Sequence, residues 1–198
     1  MKSLIAVVAA FATALFLSSC TKPASDGHAD HQHGSDSSAQ SQPAPHNAAD
    51  VTFATDMIPH HQQAVEMSGL VPTRSTDPAV IKLASDISAA QGPEIETMKG
   101  FLVQWNAGTD GGHDGHDMPG MPMQGMVDDA TMTTLETLKG ADFDKLWLKS
   151  MIGHHEGAIA MANTEIADGA SPDAKALAQQ IVTAQQAEIG QMKQMLGG

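Results

Sequence analysis

Apolar residues recur every three or four positions over two stretches of the chain, about 78–105 and 172–196, the spacing typical of amphipathic helices. Each stretch begins with a capping residue and a proline, Asp77-Pro78 in one and Ser171-Pro172 in the other. Proline is favoured at the first helical position, where its missing N–H would have no partner anyway. The pattern therefore predicts two helices, whose apolar stripes contain Leu83, Ile87, Ile95, Met98 and Leu102 in the first and Leu177, Ile181, Ile189, Met192 and Leu196 in the second.

The two halves of the chain repeat each other at an offset of 94 residues. Residues 57–102 and 151–196 align without a gap, and 17 of the 46 aligned positions are identical. The identical positions include two consecutive pairs of histidines, His60-His61 and His154-His155. A repeat of this length indicates that both halves adopt the same supersecondary structure.

Each repeat is predicted to form a helical hairpin. The first helices of the hairpins are expected at about 50–69 and 142–167, and a short extra helix is expected at about 129–139 before Gly140. Because each hairpin has one apolar stripe, two hairpins can bury their stripes by packing together. We therefore predict an all-α four-helix bundle over residues 50–198, interrupted by a Met- and His-rich loop at 106–127.

The first 49 residues are predicted to be a targeting segment and a tether. Leu4 to Leu17 is an apolar stretch that is too short to span a bilayer comfortably and is typical of a signal peptide. Leu17-Ser18-Ser19-Cys20 resembles the bacterial lipobox, so we expect residues 1–19 to be removed and Cys20 to carry a lipid. An ordinary cleaved signal with a spare thiol is the alternative. Residues 20–49 are polar and lack apolar periodicity, so they are expected to be disordered.

Composition narrows the classes of partner. The chain has 10 Lys and Arg against 23 Asp and Glu, a net charge of -13, 10 His and 13 Met. This balance argues against nucleic acid and favours cations. The single cysteine excludes a disulfide framework and a thiolate metal cluster. The position of this cysteine in the lipobox-like segment predicts a periplasmic protein that is attached to a bacterial envelope membrane by its lipid only.

Histidine and methionine are spaced for metal binding in both repeats. On a helix, Met57 and His61 lie one turn apart on one face, and His60 and Met67 flank that face. Consecutive histidines diverge, so the natural ligand sets are a methionine with the histidine one turn on, or histidines from different helices. Polar residues at the edge of an apolar stripe must be paired, and we expect Glu94 and Glu188 to support the histidines. The equivalent candidates in the second repeat are Met151, His154, His155 and Met161.

The segment between the repeats carries further candidate ligands. Gly108 to Met126 is dense in glycine and proline, which predicts a long loop. Methionines in such a loop have no apolar core to fill, so we interpret them as ligands. Thioether and imidazole donors without thiolate suit Cu(I), with Ag(I) as a surrogate, whereas His113 and His116 with neighbouring aspartates also suit Cu(II) or Zn. The candidates in this loop are His113, His116, Met118, Met121, Met123 and Met126.

Three segments resemble a known family. These are DMIPHHQQAVEMS, FDKLWLKSMIGHHEGAIAMA and the repeated pattern Gln-x-x-Glu-Ile-x-x-Met-Lys. They are similar to domain-of-unknown-function family 305, whose members include CopM-type periplasmic copper-binding proteins. The resemblance covers about residues 50–196. It implies a ferritin-like four-helix bundle, often exported, with Met and His as candidate Cu(I) and Ag(I) ligands.

The enzyme classes that we considered lack their motifs in this chain. A carboxylate-bridged di-iron oxidase needs Glu-x-x-His on two helices, and no glutamate here is followed by histidine three residues later. Nucleophile triads, phosphate loops and dinucleotide fingerprints are also absent from the sequence. We therefore predict a non-enzymatic copper-binding protein for sequestration, tolerance or transfer, with a copper exporter or chaperone as candidate partner. The alternative is an exported bundle whose interior His and Glu residues are structural.

Overall fold

The computed structural model describes residues 45–108 and 123–197, and these residues form five helices and no strand. None of these helices is both long enough and apolar enough to cross a membrane. The all-α four-helix bundle with a short extra helix, predicted from the repeat, is confirmed. The helices are α1 (Ala48–Arg74), α2 (Pro78–Gln104), α3 (Asp129–Thr137), α4 (Gly140–Asp168) and α5 (Pro172–Gly197).

Side-chain caps set where the helices begin. The Asn47 side chain accepts hydrogen bonds from the N–H groups of Ala49 and Asp50, and Asp50 accepts one from Asn47 N–H in return. This capping box starts α1 at Ala48, two residues before the predicted start. The predicted caps of α2 and α5 are confirmed, since Asp77 Oδ1 accepts from Ala79 N–H at 2.8 Å and Ser171 Oγ accepts from Ala174 N–H at 3.2 Å.

Helix α1 also ends later than its sequence indicated. The predicted end near residue 69 was wrong, because α1 continues through Pro72 to Arg74. The Arg74 guanidinium donates to the carbonyl oxygen of Glu136 at 2.8 and 3.2 Å. This contact fixes the last turn of α1 against the end of α3.

The α1–α2 and α4–α5 hairpins pack so that the start of α1 lies beside the end of α4. Asn47 Nδ2 donates to Asp168 O at 2.8 Å, and Asp50 accepts hydrogen bonds from the N–H groups of Ala170 and Ser171. Although burial alone would raise the pKa of Asp50, these backbone hydrogen bonds hold it below the usual value. The Asp50 carboxylate therefore joins the first turn of α1 to the turn before α5.

The bundle interior contains two separate apolar clusters. The Phe53 cluster uses the N-terminal halves of α1 and α5 with the C-terminal halves of α2 and α4, and the Trp147 cluster uses the opposite halves. Trp147 Nε1 donates to Met67 O at 3.0 Å inside the second cluster. The Phe53 cluster contains Phe53, Ala54, Met57, Met98, Leu102, Trp105, Ala158, Ala162, Ala174, Leu177, Ala178 and Ile181. The Trp147 cluster contains Ala64, Met67, Val71, Val80, Leu83, Ala84, Ile87, Leu135, Phe143, Trp147, Leu148, Met151, Ile189 and Met192.

A layer of polar side chains separates the two clusters at the middle of the bundle. Each of the four long helices contributes two residues to this polar layer, at the point where it passes from one cluster to the other. The residues on α1 and α2 correspond to those on α4 and α5 through the offset of 94. The polar layer consists of His60 and His61 on α1, Gln91 and Glu94 on α2, His154 and His155 on α4, and Gln185 and Glu188 on α5.

Candidate metal centre

Histidines from different hairpins meet in the polar layer. The ring centroids of His60 and His154 are 3.7 Å apart, with 36° between the ring planes, and both side chains are buried. Consecutive histidines are farther apart, since the ring centroids of His154 and His155 are separated by 6.4 Å. The structure brings together histidines from two helices, which is one of the two ligand sets predicted from the sequence. The other set, a methionine with the histidine one turn on, stays a prediction.

The other two histidines are each held by a glutamate on the second helix of the same hairpin. His61 Nε2 lies 2.8 Å from Glu94 Oε2, and His155 Nε2 lies 2.7 Å from Glu188 Oε2. The glutamates are partly exposed, whereas both histidines are fully buried. A carboxylate can only accept, so Nε2 carries the proton in both rings. The predicted pairing of Glu94 and Glu188 with the histidines is therefore present in the structure.

The protonation of these rings leaves nitrogen atoms without partners. His60 Nε2 donates to Gln124 O at 3.2 Å, so Nδ1 of the neutral His60 ring keeps a lone pair, and Nδ1 of His61 and of His155 is the ring nitrogen that the paired glutamate does not contact. All three Nδ1 atoms are buried without a hydrogen-bond partner in the described part of the chain, and so are both ring nitrogens of His154. Histidines that bind metals characteristically donate their second ring N–H to a carboxylate or a carbonyl and keep the other nitrogen free.

Burial keeps the central pair neutral. Desolvation, followed by the repulsion that a proton on His61 would exert, lowers the pKa of His60 from 6.5 to about 4, although the hydrogen bond to Gln124 acts in the opposite direction. Desolvation, followed by the repulsion that a proton on His60 would exert, lowers the pKa of His154 to about 2. Since only neutral imidazole binds metals, this environment keeps the central pair competent for binding at neutral pH.

A tight turn at the end of the inter-repeat loop covers His60. Met126 N–H donates to Met123 O at 3.0 Å, and Gly125 has φ of +86°, which together define a type II β-turn with Gly125 at its third position. The Gln63 side chain makes two hydrogen bonds of 2.8 Å with Val127, the residue after the turn. It donates to Val127 O and accepts from Val127 N–H. The turn is thus fixed to α1 through two side chains one turn apart, His60 and Gln63.

The turn also touches α4 at a glycine. A Cβ atom on Gly157 would lie 2.1 Å from Gln124 O and 2.7 Å from Gly125 Cα, so only glycine permits this approach. The residue equivalent to Gly157 in the first repeat is Gln63. Neither residue was predicted as part of the site, although the two repeats differ in sequence at this position beside the histidines.

The methionines of the two repeats lie in the apolar clusters that flank the polar layer. Met57, Met67 and Met151 are fully buried, whereas Met161 is half-buried against the Phe53 cluster. Their prediction as ligands stays a prediction. Met123 and Met126 are half-buried in the turn. The predicted ligands His113, His116, Met118 and Met121, and the predicted lipidation site Cys20, lie outside the described residues.

The donors in and beside the polar layer are imidazoles and thioethers. Within 45–108 and 123–197, no group of three or more His, Cys, Asp or Glu side chains is placed to hold a metal ion. Structural zinc usually takes four ligands in a closed tetrahedral site. Two imidazoles, or an imidazole and a thioether, form a smaller and softer set that suits a monovalent d¹⁰ ion.

Comparison with known proteins identifies the family. The DUF305 model, a domain of unknown function, matches residues 50–196. A candidate secreted DUF305 protein of Streptomyces coelicolor is 38% identical with a TM-score of 0.70, over 75% of this chain and 92% of that one. CopM in its Cu(I)-bound form is 31% identical with a TM-score of 0.59, over 74% of this chain and 94% of that one. CopM has also been solved in Cu(II)- and Ag-bound forms.

One curated relative is similar over a shorter region. The uncharacterized protein L153 of Acanthamoeba polyphaga mimivirus is 40% identical over 53 residues, which are 27% of this chain. The match spans 35% of the length of that protein. The family model, in contrast, matches most of the chain, and the resemblance predicted from the histidine motifs is confirmed: the chain belongs to the DUF305 family.

Proposed function

We propose that this protein binds monovalent copper, Cu(I), at the histidines of the polar layer, and that Ag(I) binds at the same place. The observation that carries the proposal is the set of buried ring nitrogens without partners on His60, His61, His154 and His155. An unpaired polar atom in a protein interior costs stability, and a metal ion that accepts the lone pair would remove that cost. The structures of CopM with Cu(I) and Ag support the same ion class at 31% identity.

The proposed role is binding rather than catalysis. Copper held in a buried layer is kept from solvent, which suits sequestration, tolerance or transfer to a copper exporter or chaperone. We place the protein in the periplasm, tethered by a lipid on Cys20, because of the lipobox-like segment at residues 17–20. The candidate secreted relative supports export.

The competing function is an exported scaffold in which the layer only fixes helix register. The His61–Glu94 and His155–Glu188 hydrogen bonds are compatible with it, because they satisfy buried groups with or without a metal. The central pair distinguishes the two functions. His154 has no hydrogen-bond partner for either ring nitrogen, so a purely structural role leaves its burial uncompensated.

Competition for Cu(I) against a chromophoric chelator under anaerobic, reducing conditions tests the proposal. The protein carries Cys20→Ser so that its thiol cannot bind copper. Replacing both His60 and His154 by Gln should weaken Cu(I) binding by about tenfold or more. His46→Gln is the matched control, since His46 stacks on Trp105 outside the polar layer. Equal affinity of the double variant and the control would favour the scaffold.

A further inference from the structure

The methionines of the covering turn do not serve as core residues. Met123 and Met126 are half-buried, yet neither packs against the Phe53 or the Trp147 cluster in the described part of the chain. The neighbouring Val127 and Met132 do pack against the Trp147 cluster. Buried methionines usually fill gaps in the apolar core, and these two do not.

The turn brings these two methionines together. They occupy its first and fourth positions, whose Cα atoms lie within about 7 Å of each other in any β-turn. The hydrogen bond from Met126 N–H to Met123 O closes the turn. A methionine side chain has three rotatable bonds and ends in a polarizable thioether, so two such chains can bring their sulfurs to one ion.

The turn is held in place by contacts with both hairpins. Gln124 O accepts from His60, Val127 is clamped by Gln63, and Gly125 rests on Gly157. The contact of Gln124 O with His60 places the turn beside the polar layer.

We propose that Met123 and Met126 form a preformed two-thioether site for a monovalent soft cation, fixed beside His60 by Gln63 and Gly157. The site does not use Nε2 of His60, because this atom already donates to Gln124 O. The identity of the ion rests on the proposed function, whereas the geometry of the pair does not.

Methyl-labelled methionine with Ag(I) tests the site in the whole protein carrying Cys20→Ser. The methyl resonances are assigned through single variants, Met123→Leu and Met126→Leu. Both resonances should move with one midpoint, and each single variant should weaken the response of the remaining methionine by about tenfold or more. Independent midpoints, or no response from this pair, would overturn the inference.

Two variants of α4 test the positioning. Gly157→Ala places a Cβ against the turn, whereas Gly153→Ala meets nothing within 4 Å and is the matched control. Gly157→Ala should raise the Ag(I) midpoint of the methionine pair by about tenfold or more, and Gly153→Ala should leave it unchanged. Gln63→Ala, which removes both clamping hydrogen bonds without adding bulk, should act like Gly157→Ala. Identical midpoints for all of these variants would contradict the positioning role.

The same titration, followed at the histidine ring nitrogens, separates the two proposals. A response of the imidazoles without the Met123 and Met126 methyls would overturn only the methionine site. A response of these methyls without the imidazoles would support the methionine site and overturn the proposed function. Silence of both would overturn both proposals.

Discussion

The rings of His60 and His154 meet at the centre of the bundle, with centroids 3.7 Å apart and planes tilted by 36°, although 94 residues separate them in the chain. Each occupies the same position in its repeat, so the contact relates the two hairpins to each other. His60 donates to the covering turn, and His154 has no hydrogen-bond partner on either ring nitrogen within the described residues. The repeat therefore produces a symmetric pair of imidazoles in an asymmetric environment.

Neutral buried histidines should make the protein sensitive to mild acid. The unfolded chain binds a proton at His154 below pH 6.5, whereas the folded state does so only near pH 2. Stability is therefore lost as the pH falls below 6.5, by about tenfold in the unfolding equilibrium constant per pH unit for this residue. Denaturant unfolding of the metal-free protein between pH 7 and pH 4.5 should show a steep dependence, and His154→Gln should reduce the slope by one proton. An unchanged slope would contradict the neutral assignment.

Glu165, a buried carboxyl at the end of α4, should make stability depend on pH in the direction opposite to that of His154. Burial, followed by the neighbouring Asp50 carboxylate, raises the pKa of Glu165 to about 8. Between pH 4.5 and pH 8 the unfolded chain is ionised at this residue while the folded chain holds the proton, so stability falls as the pH rises. Glu165→Gln should remove this slope and gain at least about tenfold in relative stability between pH 5 and pH 8. Parallel pH profiles for the variant and the wild type would contradict the assignment.

The glutamates that accept from histidine should tune metal affinity. Glu94→Gln replaces a carboxylate, which fixes Nε2–H on His61, with an amide that can accept or donate. We expect Cu(I) affinity to fall by about 10- to 100-fold. Glu96→Gln is the matched control, because Glu96 is an exposed carboxylate on the same helix that pairs with Lys99. Equal affinities for the two variants would remove Glu94 from the site.

The buried methionines next to the polar layer can be tested by pairs related through the repeat. Met57 and Met151 are predicted ligands, whereas Met98 and Met192 occupy the same two clusters and were predicted to be core residues. Replacing Met by Leu conserves volume and should cost less than about 1.5 kcal/mol at each position. If the thioethers of Met57 and Met151 bind copper, only their replacement lowers Cu(I) affinity. A similar effect of all four replacements would assign Met57 and Met151 to the core alone.

The fold could be predicted from the sequence because its signals were local and repeated. The apolar stripes, the Asp77-Pro78 and Ser171-Pro172 caps and the offset of 94 all describe contacts within one helix or one hairpin. The end of α1 was mispredicted at Gly69, since the contact of Arg74 with Glu136 lies far along the chain. Intrinsic preference at a helix end is weak compared with such tertiary contacts.

The residues of the site could be predicted from the sequence, whereas their arrangement in space could be predicted only in part. Helical spacing placed the histidines in the interior and the glutamates near them, because both follow from the 100° step between residues. The contact of His60 with His154 depends on how the hairpins pack, and the sequence left that open. The position of the turn against α1 and α4 depends on Gln63 and Gly157, where the two repeats differ in sequence. A comparison restricted to identical positions passes over such residues.

Crystals of the protein soaked with Cu(I), measured at the copper absorption edge, test the central claim most directly. The anomalous map should place a copper ion within bonding distance, about 2.0–2.1 Å by analogy with zinc–imidazole bonds, of a ring nitrogen of His60, His61, His154 or His155. An empty polar layer, with copper only at surface carboxylates or absent, would contradict the assignment of these imidazoles as the binding site.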